Sequence, residues 1–67
     1  MPTKLLIIKH TNKTTHIFLS QIVGIIEQDN KWRIMLSDHS YYDTTDKNVI
    51  DNIMIESEIV AVINEQF

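Results

Sequence analysis

Apolar residues in this chain come in short bursts separated by polar knuckles, and the spacing within the bursts changes once along the sequence. Leu5, Leu6, Ile7 and Ile8, flanked by Lys4 and Lys9, predict a first strand. Residues 14–19, ending in Ile17, Phe18 and Leu19, predict its antiparallel partner across a turn at Thr11, Asn12 and Lys13. Ser20 and Gln21 break the pattern. Residues 22–26 form a third strand in which Gly24 marks a bend or bulge. In the fourth, Trp32, Ile34 and Leu36 alternate with Lys31, Arg33, Met35 and Ser37, which places three large apolar side chains on one face. The polar knuckle Gln28, Asp29, Asn30 and Lys31 between these two runs predicts a β-hairpin, with the Trp32 face as core.

Asp38, His39 and Ser40 are turn chemistry, and Tyr41, Tyr42 and Asp43 predict a short fifth strand. The period then changes. Thr44, Thr45 and Asp46 offer N-cap candidates, and Val49, Ile50, Ile53 and Met54 fall at helical spacing, so a short helix is expected over 46–54. Residues 59–63 are continuously apolar and mostly β-branched, which suits a strand buried on both faces. A helix through them would cost roughly half a kcal/mol per β-branched residue relative to alanine. Their pattern matches that of residues 22–26, a candidate pairing partner; pairing with the edge of another subunit is the alternative. The expected fold is mainly β: a small, strongly curved antiparallel sheet or partial barrel of 5–6 strands with one short helix, in a single domain spanning 1–67.

Composition narrows the possible jobs. At 67 residues without cysteine, stability must come from apolar burial or self-association, so a homodimer is expected. The first apolar run is too short for a signal peptide or membrane span, which predicts a cytoplasmic protein with no membrane partner. Twelve isoleucines, with frequent Asn and Lys, match AT-rich coding sequence and point to a bacterium or one of its phages.

Over residues 4 to about 53, the order of elements resembles small FlbD-type flagellar proteins and the β-rich DNA-binding LytTR domain. The features that carry the likeness are a leading strand pair, an apolar segment closing on Ile26 and Glu27, the strand of Trp32 to Leu36, a Tyr-bearing short strand and a helix opened by Thr and Asp. FlbD-type turns usually hold glycine where this chain has residues 11–13 and 38–40, and that pattern has no counterpart of the strand at 59–63. The LytTR resemblance implies a small transcriptional regulator that touches DNA through its lysine-bearing strands.

The residues themselves suggest little catalysis. His10, His16 and His39 with Asp38 and Asp43 could gather a metal ion only if the turns brought them together. A two-residue turn at Asn12 and Lys13 would set His10 opposite Thr15 and Lys9 opposite His16, on opposite faces; a three-residue loop would pair the histidines directly. No metal site and no cofactor is expected. A lone glycine can build neither an oxyanion hole nor a phosphate loop, so the chain is read as a non-enzyme.

Nucleic-acid contact would fall to Lys4, Lys9, Lys13, Lys31 and Arg33, because the acids gather in the last third; the net charge of −3 weighs against it. Protein binding is the leading expectation, with Phe18, Arg33, Met35, Tyr41 and Tyr42 as the candidate surface. The chain is thus read as a small interaction or regulatory module, a phage or mobile-element accessory protein acting on a host factor. One alternative is the LytTR-like regulator. The other is an oligomeric nucleotide-binding protein using Trp32, Tyr41, Tyr42 and Arg33.

Overall fold

The computed structural model describes residues 4–65. Five strands and one α-helix follow in order: β1 (Leu5–Lys9), β2 (Thr14–Phe18), β3 (Ile22–Gln28), β4 (Lys31–Leu36), β5 (Tyr41–Thr44) and α1 (Lys47–Ile55). A single 3-10 turn (Leu19–Gln21) links the first pair to the rest. The strands form two antiparallel sheets, β1-β2 and β3-β4-β5, and do not close into a barrel.

Each sheet is half-covered, as the alternating sequences require. In β1 and β2 the side chains of Leu6, Ile8, Thr15 and Ile17 turn inward, while Leu5, Ile7, His16 and Phe18 remain exposed. Ile34 on the central strand β4 is fully buried and packs with Val49, Ile50 and Ile53 of α1. Leu6, Ile8, Leu19, Ile22, Ile25, Trp32, Leu36 and Tyr42 surround this cluster. The helix stripe is narrower than its sequence pattern implies, because Met54 turns outward and is exposed.

The tip of the β3-β4 hairpin is a two-residue turn in which Asp29 (φ 54°) and Asn30 (φ 61°) both adopt left-handed backbone. Asn and Asp tolerate this conformation better than other side chains, and two such residues give the primed turn whose twist matches a hairpin. Gly24 sits at a bulge where the β3-β4 register shifts. The β4-β5 turn is held by Asp38, whose Oδ1 accepts from the Ser40 amide at 3.0 Å, with His39 at φ 70°. These bonds from Ser40 hold the Asp38 carboxyl below the ordinary carboxylate range. At the start of α1, Asp46 Oδ1 accepts from the Asn48 amide at 2.9 Å, the bond that defines an N-cap.

Two expectations need correction. Residues 59–63 form no strand: Ile59, Val60, Val62 and Ile63 are 67–92% exposed and pair neither with β3 nor with any other described strand. The described residues therefore hold five strands, the lower of the expected numbers. The first turn is also tighter than a loop at 11–13, since the His10 amide donates to the Lys13 carbonyl at 2.8 Å and leaves only Thr11 and Asn12 between them. The resulting register sets His16 opposite Ile7.

Candidate functional site

Strand alternation decides which of the expected surface residues share a face. In the three-stranded sheet, the register pairs Ile26 with Arg33 and Arg33 with Asp43, and in the next outward row Gly24 with Met35 and Met35 with Tyr41. Arg33, Met35 and Tyr41 therefore lie together on the face turned away from α1. Ile26 and Tyr41 are exposed there, and Met35 is half-buried.

Arg33 is fixed in the middle of this face. Its Nε donates to Asp43 Oδ1 at 2.8 Å and its Nη2 to Asp43 Oδ2 at 3.1 Å, a forked pair of the kind that only a guanidinium makes. Its Cζ lies 4.0 Å from the centre of the Tyr41 ring, a cation–π stack. The hydrogen bonds to Asp43 raise the Arg33 pKa, and the same bonds hold the Asp43 carboxyl below its ordinary range. Gly24 adds a notch beside this row: a Cβ at that position would come within 2.9 Å of Met35 Cε, so the methionine lies across the bare backbone. At the hairpin tip the face ends in an open cleft lined by Ile26, Gln28, Lys31, Trp32, Arg33 and Asp43.

Two expected members of the surface lie elsewhere. Tyr42 opposes Ile34 and faces the core, because neighbouring residues of one strand point to opposite faces. Its hydroxyl is 3.1 Å from His10 Nε2, which is also 3.3 Å from Thr15 Oγ1. Phe18 is exposed on the outer face of the other sheet, opposite Leu5. Ile26 belongs to the site although the sequence reading passed over it; it is two residues from Gly24 on the same strand, and that spacing is the signal that could have placed it.

The other chemistries gain no assembled site. Lys4 pairs with Glu56 and Arg33 with Asp43, while Lys9 and Lys13 flank the β1-β2 turn and Lys31 opens β4 at the tip of the other hairpin. Trp32 is half-buried against the core cluster and Tyr42 faces inward, which separates the stacking set from Tyr41. His10 and His16 point to opposite faces of their hairpin. Among the described residues no group of three His, Asp or Glu side chains is placed to hold a metal ion, and no helix is long and apolar enough to cross a membrane. No family model, curated protein or solved structure matches the chain.

Proposed function

We propose that this chain is a cytoplasmic, non-enzymatic interaction module that binds a protein partner through the outer face of β3-β4-β5. The observation that carries the reading is the grouping of Ile26, Met35 and Tyr41 around an Arg33 already immobilised by Asp43 and the Tyr41 ring. Aromatic, methionine and arginine side chains are the types enriched at protein interfaces, and Arg and Tyr recur among the residues that dominate binding energy. Holding Arg33 in place before the partner arrives lowers the entropy lost on association. Met35 lies across Gly24 and can re-pack against an incoming side chain because its thioether arm is flexible.

A partner of matching chemistry would present one large apolar side chain to the Met35 and Tyr41 row and a hydrogen-bond acceptor to the Arg33 N–H groups that Asp43 leaves free. The test is capture from a lysate of the source cells by the wild type and by a Met35→Ser/Tyr41→Ala variant. Both side chains point away from the core, so the circular dichroism of the variant should match the wild type. A captured protein that the variant loses supports this face; equal capture by both refutes it.

A further inference from the structure

We infer that two copies of this chain exchange residues 59–63, each segment adding as a strand to the free edge of β1 in the other copy. This goes beyond the partner surface proposed above and uses a different part of the molecule.

Two segments carry sequences suited to the interior of a sheet, yet neither is inside one. Leu5, Leu6, Ile7 and Ile8 make β1 apolar on both faces, as are residues 59–63, and such strands belong between two neighbours. β1 pairs only with β2, so one edge has no strand partner among the described residues, and Leu5 and Ile7 are exposed. Residues 59–63 follow α1 without any regular structure and hold four large side chains in solvent. Their lengths match at five residues each. The radius of gyration, 13.0 Å, exceeds the about 11 Å expected for a compact chain of this length, so the molecule is not closed upon itself.

The other edges suit this segment less well. Glu58 and Glu65 flank it. β3 carries Glu27, precedes Asp29 and is broken by a bulge, and β5 is four residues long with Asp43 within it and Asp46 beyond it. β2 alternates Thr14 and His16 on its outer face and ends near Asp38. β1 alone has a lysine at each end: Lys4, which also pairs with Glu56 of its own chain, and Lys9. In an antiparallel register with Ile63 opposite Leu5, Val60 and Val62 share the inward face with Ile8 and Leu6, and the two glutamates fall just beyond the two lysines.

The area is sufficient. Burying one Val or Ile removes roughly 60–120 Å² of apolar surface from water. Four such residues per segment, two segments and an equal area on the receiving surfaces give roughly 1,000–1,900 Å², against about 1,200–2,000 Å² for a stable interface.

Light scattering across a concentration series, with hydrogen exchange read by NMR, tests the exchange on the full chain. The expected result is a species of twice 7.9 kDa at high concentration, with amides of residues 59–63 protected and that protection lost on dilution. Ala61→Pro, which removes the donor that would face Ile7 across the ladder, in a segment that packs on nothing in the monomer, should give a folded monomer. Mixing an Ala61→Cys chain with an Ile7→Cys chain should give a disulfide joining the two, since the wild type has no cysteine to compete. A monomer at every concentration overturns the proposal, whether the amides of 59–63 are open or protected; protection in a monomer would place the strand on its own chain. A dimer that Ala61→Pro leaves intact, or a mixture without the cross-link, also overturns it.

Discussion

Ile34 is the residue on which the stability of this domain should turn. It is fully buried on the central strand of the larger sheet and belongs to one core cluster with the three buried residues of α1, so it joins sheet to helix. Ile34→Ala removes three carbon atoms, worth about 2.4 kcal/mol at about 0.8 kcal/mol per buried methylene. The cavity left between rigid neighbours adds to that, and the total for such changes is typically 2–5 kcal/mol, so about 3–4 kcal/mol is expected here. A domain of this size has roughly 3–10 kcal/mol of stability to lose, with small cores at the lower end. Ile34→Ala should therefore be marginally folded, whereas Ile34→Val should cost only about 1 kcal/mol. The single tryptophan, Trp32, lies two residues away in the same strand and reports unfolding by fluorescence in a urea titration at fixed protein concentration. Val23→Ala, at a position 66% exposed, serves as the comparison and should change stability by less than about 0.5 kcal/mol. A loss below about 1.5 kcal/mol for Ile34→Ala, or a loss of similar size for Val23→Ala, would refute the placement of the core.

Two further expectations concern polar groups. Asp46→Ala removes the acceptor that caps α1 and should cost about 1 kcal/mol, with reduced helical ellipticity; an unchanged urea midpoint would remove the cap from the account. Asp38 and Asp43 are both held below the ordinary carboxylate range, so their contribution is fully present above that range and is lost as pH falls through their lowered folded-state values. Stability should fall as pH drops below about 4, and Asp43→Asn should make that fall shallower. Parallel pH profiles of the urea midpoint for wild type and Asp43→Asn would show that the Arg33 pairing does not contribute to it.

Local pattern was enough to locate the five strands and the helix, because each rests on short-range physics. Trp32, Ile34 and Leu36 alternate with period two, Asp46 is a ready acceptor at the helix start, and Asp29 and Asn30 accept the left-handed turn without a glycine. Register was less legible. Three consecutive polar residues at 11–13 fit several loop lengths, and only the hydrogen bond from His10 to Lys13 selects one. The Arg33–Asp43 fork follows from the β4-β5 register, which the sequence of the turn at 38–40 does not specify. Grouping Tyr41 with Tyr42 overlooked strand geometry, since adjacent residues of a strand cannot share a face. For residues 59–63 the composition states what surroundings the segment favours, but whether a neighbour within the same chain supplies them depends on where α1 ends.

Among the described residues every strand pairs with a strand next to it in sequence: β1 with β2, β3 with β4, and β4 with β5. Each pairing closes a loop of only a few residues, so little chain entropy is lost before the first contacts form, and the topology belongs with rapidly folding domains. The inner faces of both sheets, however, close on Val49, Ile50 and Ile53, which a ribosome delivers only after all five strands. During synthesis the hairpins can form and dissolve freely as they emerge, and the cooperative core is committed only when the helix arrives to join them.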